Sequence, residues 1–284
     1  MIKSIIISFL FVLFCGQVSA QIMLPAYQGA YHAKRTASAG DGLTSATAAT
    51  SASQIKTDYP ASTDGIYWIN VPSVGAKQTY CLMDSKYDGG GWMLALKATR
   101  GTTFNYAATY WTTANTLNPT EVSRTNADAK YDVMNGFLAK DMMALWPDIP
   151  NSSTESGSID GLTNWSWLQN SFNSGATTTL ISKFAAAQTT YYTSTNGTMT
   201  FSGYGATVFS NQAGFTFYGI NYTVNAAKQV RWGFAWNNEA DQSSNDVTGG
   251  IGMAYGFSSA GDLIGCCQIN TGINRNARVE IYIR

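Results

Sequence analysis

The chain has 284 residues, of which only 12% are charged, 13% are aromatic and 27 are glycine. It contains 17 lysine and arginine residues and 17 aspartate and glutamate residues, so its formal net charge is zero. This balance argues against electrostatic binding to nucleic acid or to an anionic membrane. The composition is typical of an extracellular, turn-rich β protein, or of a subunit that buries its faces in an assembly.

The first twenty residues have the pattern of a secretory signal peptide. Lys3 supplies the positive charge, residues 5–14 are almost unbroken apolar, and residues 18–20 are small enough for cleavage. The apolar run is too short to cross a bilayer as a helix. Cys15 also permits a lipoprotein interpretation, although a bulky residue precedes it. We therefore expect a secreted, extracellular chain without membrane insertion.

Residues 21–63 are predicted to be an N-terminal tether and linker. Residues 21–35 mix apolar and aromatic side chains, and residues 36–63 are dominated by alanine, serine and threonine. The second stretch has too few large apolar side chains to form a core. We therefore place a single globular domain at residues 64–284.

Strand patterns open the predicted domain. Residues 65–71 and 77–84 are β-branched and aromatic runs separated by a turn of proline, serine and glycine, which predicts a β-hairpin. Residues 91–100 place apolar side chains at a period of two, which predicts a third strand.

The pattern changes in the middle of the chain. Apolar residues within 129–146 recur every three or four positions, which predicts a helix ended by Pro147. Residues 164–172 predict a weaker helix, and alternation returns at 228–236 and 277–284. Strands first, helices in the middle and strands last predict an α+β domain built on antiparallel sheet with a few helices.

A glycine-rich motif lies between the second and third predicted strands. The sequence GIYWINV is followed by TYCLMD and then by DGGGWMLALK. This order resembles the opening of fibrinogen-like C-terminal domains, in which a G-x-Y strand leads to Y-C-x-M and then to G-G-G-W. The resemblance implies a tight structural turn at the glycines. The matched positions are Gly65, Tyr67, Tyr80, Cys81, Met83, Gly89, Gly90, Gly91 and Trp92.

Two further motifs are similar to the intelectin branch of that family. Lys140-Asp141 and Leu145-Trp146 stand where that branch has a K-D-x-x-x-L-W segment, and Asn237-Asn238-Glu239 matches its N-N-E loop. The resemblance covers residues 64–146 and 229–284. It implies a fibrinogen-like or intelectin-like fold.

The segment 236–252 is the strongest candidate for a metal site. Calcium takes six to eight oxygen ligands, and this segment is rich in carboxylates and amides. Its spacing is not that of an EF-hand, and a polar surface loop with local turns is the alternative. The resemblance to calcium-binding members of the family favours calcium. The candidate ligands are Asn237, Asn238, Glu239, Asp241, Asn245 and Asp246, with Asp262 from a neighbouring loop.

A sugar site beside that metal is implied by the resemblance. Intelectins read sugar diols with calcium, a histidine, glutamates and aromatic walls, but this domain has no histidine and residues 102–111 are poor in acids. The full chemistry therefore does not carry over. Tyr255 and Phe257 are the candidate ligand-binding aromatics, although aromatic side chains in a β-rich domain are more often core.

Catalytic patterns are scarce. The only histidine, His32, precedes the domain, so no Ser-His or Cys-His nucleophile system is available there. Paired carboxylates that hydrolyse glycosides remain an alternative. Because acidic residues are few and lie in predicted loops, we predict that the protein is not an enzyme.

The chain without its signal peptide holds an odd number of cysteines: Cys81, Cys266 and Cys267. Fibrinogen-like domains usually pair the first of these with an upstream cysteine, which is missing from residues 21–80. Cys266 and Cys267 can form a vicinal disulfide, or one of them can reach Cys81. We predict one disulfide and one thiol that is free or bonded to another chain.

Four N-glycosylation sequons are present. Where the host performs this modification, each would mark a surface loop, and in a bacterium all four would be chance. The sequons begin at Asn151, Asn164, Asn196 and Asn221.

The resemblance implies a secreted, non-enzymatic, lectin-like protein that binds surface glycans or glycoproteins with the help of calcium. The alternative is a structural or host-attachment subunit of a cell surface or virion, which uses the same fold for assembly. Low charge, the apolar segment QIMLPAY and the odd cysteine number fit that alternative, and they are also compatible with a homo-oligomer.

Overall fold

The structure, a computed structural model, describes residues 40–147, 164–168, 177–187, 189–191, 215–223, 229–237, 247–254, 256, 258–264 and 274–284. The chain divides into two units, residues 1–38 and 39–284, and the described residues all belong to the second unit. None of the helices in the described ranges is long and apolar enough to cross a membrane.

In the described ranges the first sheet has seven strands, and all its neighbouring strands are antiparallel. Its order is β1-β2-β3-β13-β5-β6, with β4 also paired to β3. The C-terminal strand β13 therefore lies in the middle of the sheet. The bounds are β1 Gly65–Val71, β2 Gly75–Leu82, β3 Trp92–Ala98, β4 Ala129–Lys130, β5 Met142–Trp146, β6 Asn164–Leu168 and β13 Val279–Ile283.

The second sheet has six strands in the order β12-β11-β10-β9-β8-β7, so each strand pairs with its neighbour in sequence. All these pairs are antiparallel. The fold is therefore α+β and dominated by antiparallel sheet, as predicted. The bounds are β7 Thr189–Tyr191, β8 Phe215–Thr223, β9 Gln229–Asn237, β10 Val247–Met253, β11 Ala260–Ile264 and β12 Asn274–Asn276.

Short helices cover the sheets. The α-helices are α1 Ala52–Asp58, α2 Asp132–Gly136 and α3 Leu180–Ala185, and 3-10 turns lie at Ser45–Thr47 and Thr109–Trp111. The Trp111 ring meets the Phe184 ring of α3 edge to face, with centroids 4.9 Å apart. Since edge-to-face pairs add to the energy of burial, this contact helps to fix α3 in the core.

The core lies around the centre of the first sheet. Every residue of β3 and of β13 is buried, so both faces of these strands are covered. The sequence predicts one buried face for each strand, and that part of the prediction is wrong. Glu280 and Tyr282, which alternate with Val279, Ile281 and Ile283 along β13, are as inaccessible as those apolar residues.

The chain segment 101–106 joins the two sheets. The Tyr106 N–H donates to the Met253 carbonyl at the end of β10, and the Phe104 N–H donates to the Ser259 hydroxyl. Arg231 on β9 donates from Nε to the Tyr106 carbonyl (2.8 Å) and stacks on the Tyr106 ring at 4.2 Å. Hydrogen bonds from a charged donor are stronger than those between neutral groups, so Arg231 stabilises the contact between β9 and the segment 101–106.

The predicted helix over 129–146 is wrong for most of its length. Only Asp132–Gly136 is helical, and residues 142–146 form β5, which pairs with β13 from Met142–Ile283 to Leu145–Glu280. A run of five apolar residues suits a buried strand as well as a helix. The long-range partner β13 decides between them. Gly136 is the last residue of the short helix, and a Cβ there would lie 2.8 Å from the Pro72 carbonyl oxygen.

The weaker helix predicted over 164–172 is also not observed. Residues 164–168 form β6, which is antiparallel to β5 from Met142–Leu168 to Trp146–Asn164. The remaining residues, 169–172, lie outside the described ranges. The aromatic residues of this segment favour a strand once an unpaired strand edge is available beside it.

The predicted linker is wrong from residue 40 onward. The Trp68 N–H donates to the Gly42 carbonyl. Along the same outer edge of β1, the Ala49 N–H donates to the Trp68 carbonyl and the Ala49 carbonyl accepts from the Asn70 N–H. The segment therefore covers a strand edge that would otherwise present unpaired backbone groups. Ala49, Ala52 and Ile55 are all part of the core.

Small residues suit this segment because it packs closely. Ser51 caps α1 by accepting a hydrogen bond from the Gln54 N–H (3.0 Å), and Ser53 donates to the Gly91 carbonyl (3.1 Å). A Cβ on Gly91 would lie 2.9 Å from the Ser53 Oγ. Alanine and serine thus allow α1 to approach the glycine turn, which larger side chains would prevent.

We predict that Ile55→Ala lowers the free energy of unfolding by about 2–4 kcal/mol, the usual cost of a large-to-small change in a core. Ile55 is only 1% exposed, whereas Thr57 in the same helix is exposed. Thr57→Ala should therefore change the stability by less than about 1 kcal/mol. Urea unfolding of both variants tests this, and equal losses would mean that α1 does not belong to the core.

Candidate functional site

The predicted calcium ligands lie mainly in the loop between β9 and β10. Asn237 ends β9, and the register of the two strands runs from Trp236–Val247 to Val230–Met253, so both ends of the loop are anchored. The ligands within the loop itself lie outside the described residues and stay a prediction. These are Asn238, Glu239, Asp241, Asn245 and Asp246.

Three connections meet at one end of the second sheet, which we call the loop end. β9 ends there at Asn237, and β10 begins there at Val247. Ile264, the last residue of β11, pairs with Val247, and Phe215, the first residue of β8, pairs with Asn237. The antiparallel order therefore brings to one edge the ends of the connections 192–214, 238–246 and 265–273.

Asp262 is not adjacent to Asn237. It pairs with Gly249 on β10, which pairs with Phe234 on β9, three residues before Asn237. With strands about 4.8 Å apart and about 3.4 Å per residue, the Cα atoms of Asp262 and Asn237 are about 14 Å apart. Because calcium ligands lie 2.3–2.6 Å from the ion, two such short side chains cannot both reach one ion at this distance.

The candidate aromatic residues flank the opposite end of β10. Tyr255 and Phe257 lie outside the described residues, but the Ala254 N–H donates to the Gln229 carbonyl at the start of β9, and the Met253 N–H donates to the Ser258 carbonyl. A strand of seven residues is about 20 Å long. One sugar ring could therefore not contact an ion at the loop end and the chain at Ala254 together.

Among the three cysteine candidates, the structure describes Cys81 alone, and it is a free, fully buried thiol on β2. Burial, and to a smaller extent Asp64, raise the pKa of this thiol, so it is protonated and unreactive at neutral pH. A disulfide to Cys81 is therefore not observed. The vicinal pair of Cys266 and Cys267 stays a prediction outside the described residues.

Asn221, the last of the four sequons, has a structural role in the folded chain. It is 6% exposed, and its amide nitrogen donates to the carbonyls of Phe184 (2.8 Å) and Ala186 (2.7 Å) at the end of α3. Its amide oxygen accepts from Arg231 at 3.0 Å. A glycan on this nitrogen would replace one of its two N–H donors, so at least one of the two hydrogen bonds at the end of α3 would be lost. The side chains of Asn151, Asn164 and Asn196 are outside the described set.

The three consecutive glycines form the predicted tight turn. Gly89, Gly90 and Gly91 have φ values of 87°, 78° and 80°, which L-residues with a side chain rarely adopt. A Cβ on Gly90 would lie 2.4 Å from the Met83 carbonyl oxygen. The Trp92 indole N–H then donates to the Tyr87 carbonyl inside the turn (2.7 Å). The structural role of the glycines is therefore confirmed.

The turn also holds the C-terminal residue. The Arg284 guanidinium lies 4.0 Å above the Trp92 ring and donates to the Asp88 carbonyl (2.6 Å), the Asp88 carboxylate (2.7 Å) and the Gly90 carbonyl (3.1 Å). It also donates from Nε to Asp141 (3.0 Å). One side chain, Arg284, thus connects the glycine turn, the end of β13 and the residue before β5. The G-G-G-W motif gives no indication of this contact.

A second charged group, the Glu280 carboxylate, is buried next to Arg124 of the segment 121–125. Glu280 is 0% exposed and accepts hydrogen bonds from Arg124 (2.8 Å), Arg278 (3.1 Å) and the Tyr282 hydroxyl (2.8 Å). Burial, and then the Glu280 carboxylate, raise the pKa of Tyr282. Because every polar group here has a partner and the Glu280 carboxylate is fully buried, the arrangement has the features of a structural ion cluster.

Two buried lysines have the low pKa values that nucleophilic lysines also show. Burial lowers the pKa of Lys130 to about 8, and it lowers the pKa of Lys97 against the opposing effect of Glu121. Lys130 is 0% exposed and donates to the Thr113 carbonyl (2.6 Å), and Lys97 donates to the Ser123 carbonyl (2.7 Å). Neither amine can meet a substrate in this fold.

No protein-family model matches this chain, and a search of curated proteins returned no match. The fold and the site geometry define the class of the described unit as an α+β domain on two antiparallel sheets, in which the ends of β8, β9, β10 and β11 that flank three connections lie at one end of the second sheet.

Proposed function

We propose that this is a secreted, non-enzymatic, lectin-like recognition protein that binds surface carbohydrate with calcium held at the loop end. The observation that supports the proposal is the position of the donor-rich loop 238–246. It connects β9 to β10, which pair with each other in one register, and Val247, the first residue after it, pairs with Ile264 at the end of β11. Its carboxylates and amides are the oxygen donors that calcium takes.

The ligand set of the proposed site comes from the loop more than from the strands. Asn237 and the loop acids are neighbours in sequence, whereas Asp262 lies on β11, which β10 separates from β9. In the described ranges, no group of three or more His, Cys, Asp or Glu side chains is placed to hold a metal ion. Asp241 and Asp246 are therefore the side chains on which the proposal depends.

We predict that a calcium chelator lowers the melting temperature and abolishes carbohydrate binding together. A ligand that binds only the folded state stabilises it by about 2.7 kcal/mol at a hundredfold excess over its dissociation constant. The double variant Asp241→Ala and Asp246→Ala should melt at the temperature of the chelated protein and should not respond to calcium. Differential scanning calorimetry and glycan-array binding measure the two effects.

The matched control for that experiment is Asp262→Ala. Because Asp262 is separated from Asn237 by about 14 Å, its substitution should leave the calcium response intact. A melting temperature that does not change with chelator would contradict the calcium site. Retained glycan binding in chelator would show that recognition takes place elsewhere on the molecule.

The second candidate function is assembly, as a structural or host-attachment subunit. Among the residues that the structure describes, four large apolar side chains are between 41% and 54% exposed: Leu43, Ile66, Val74 and Leu138. Apolar surface of this kind is covered in an assembly, although single exposed residues also occur on monomers. Light scattering with and without reductant and chelator separates the functions, since a lectin would remain a defined small oligomer and a structural subunit would form large assemblies.

A further inference from the structure

A small cleft opens beside the β1–β2 hairpin, in the first sheet. It has a volume of about 230 Å³ and lies between the hairpin and the chain that leads into α2. Its polar and aromatic lining comes from Trp68, Lys77, Gln78, Thr120 and Asp132, and Val122 adds an apolar wall.

The cleft exists because β2 leaves β3 early. The two strands pair only at Cys81–Met93 and Leu82–Trp92. Further along β3, the Tyr131 N–H donates a hydrogen bond to the Ala95 carbonyl (3.1 Å), at the position where β2 would pair if it continued beside β3. The gap between the diverging strands is therefore framed by backbone hydrogen bonds on both sides, and the cleft is part of the fold rather than of a loose loop.

The groups in the cleft are available for a ligand. Trp68 and Gln78 are directly opposite each other in the hairpin register, the first half-buried and the second exposed. Within the part of the chain that the structure describes, the Trp68 indole N–H, the Gln78 amide and the Thr120 hydroxyl have no hydrogen-bond partner. An aromatic side chain beside unpaired donors and acceptors is the usual lining of a small-molecule site.

The charges of the cleft favour a neutral ligand. The Lys77 ammonium and the Asp132 carboxylate are 3.6 Å apart, so their charges largely cancel for a third molecule. Both can still hydrogen-bond to hydroxyl groups, Lys77 as a donor and Asp132 as an acceptor. The volume is below the 300 Å³ at which drug-sized pockets begin, so it suits a single ring.

We propose that this cleft binds one neutral pyranose ring, with an apolar face of the sugar against Trp68 and its hydroxyls bonded to Gln78, Thr120 and Asp132. The choice of a sugar rests on the proposed function, and the position of the site rests on the geometry alone. The site belongs to the first sheet and includes none of the predicted calcium ligands. Binding here is therefore independent of calcium.

Saturation-transfer NMR on the secreted protein tests the proposal, with the methyl glycosides of glucose, galactose, mannose and N-acetylglucosamine as probes. At least one should bind, with and without chelator. Trp68→Ala and Gln78→Ala should each weaken that binding by about tenfold or more. Asn70→Ala is the control, because Asn70 is exposed on the same strand and does not line the cleft. The melting temperature of each variant shows whether it is folded. If Trp68→Ala does not fold, the binding measured for Gln78→Ala tests the cleft site alone.

The failures of the two proposals can be told apart. Binding that chelator abolishes and that both cleft variants retain would overturn the cleft site and support the loop end. Binding that survives chelation and is lost in the cleft variants would establish the cleft site even if calcium proves irrelevant. If no glycoside binds the folded wild-type protein, the cleft proposal is wrong, whatever the chelator does to the melting temperature.

Discussion

Gly90→Ala is expected to lower the free energy of unfolding by about 4 kcal/mol or more. A loss of this size is exceptional for one substitution and has a specific structural cause, here a steric one. Two costs add at this position. A non-glycine residue at φ 78° is strained by about 1–3 kcal/mol. In addition, the new Cβ would lie 2.4 Å from the Met83 carbonyl oxygen and 2.8 Å from its carbon, and the backbone itself must move to relieve that contact.

Gly89→Ala is the matched control for this prediction. Gly89 also has a positive φ, 87°, but the nearest atom to its added Cβ is the Arg284 Nη1 at 4.0 Å. Only the conformational cost remains, about 1–2 kcal/mol. Urea unfolding monitored by tryptophan fluorescence measures both variants. Similar losses at the two positions would show that the close approach to Met83 does not constrain the turn.

The elements that the sequence predicts well are those with a local cause. The β1–β2 hairpin is predicted by two alternating runs and a turn, and it is observed with a continuous register from Gly65–Cys81 to Val71–Gly75. β3 and β9 are predicted by clear alternation. For these strands the period of two is enough, because the neighbouring strand is adjacent in sequence or the pattern is long.

The failures arise where distant partners decide the structure. Residues 142–146 become a strand because β13, more than 130 residues later, pairs with them. Residues 40–63 fold because alanine and serine fit against the glycine turn and the edge of β1, a contact that composition alone cannot reveal. Small side chains indicate a linker only when nothing large packs against them.

The candidate sites divide in the same way. The glycine turn could be predicted because three glycines before a tryptophan have a steric meaning. The role of Arg284 could not, because its partners Asp88 and Asp141 are 196 and 143 residues away. The cleft also depends on long-range structure, since it needs β2 to diverge from β3. One signal for the Glu280 cluster was present: a carboxylate between Val279 and Ile281 in a strand at the core.

Glu280→Ala is expected to lower the free energy of unfolding by about 3 kcal/mol. Removing one member of a buried ion pair usually costs 3–5 kcal/mol, because the remaining charge loses its partner. Arg124 and Arg278 are 28% and 18% exposed, so water can partly replace the lost carboxylate and the lower value applies. The Tyr282 hydroxyl, however, is fully buried and would lose its acceptor.

Lys86→Ala provides the contrast. Lys86 and Asp84 form an ion pair at 3.1 Å, but their side chains are 59% and 44% exposed, and ion pairs this exposed contribute little to stability because water screens them. Raising the salt concentration to about 1 M shortens the Debye length to about 3 Å and should remove that small effect. The loss in Glu280→Ala should persist in the same salt, because the wild-type carboxylate is fully buried and salt screens buried charges much less than exposed ones. A loss that disappears with salt would mean that Glu280 is accessible to solvent and that the cluster contributes only surface electrostatics.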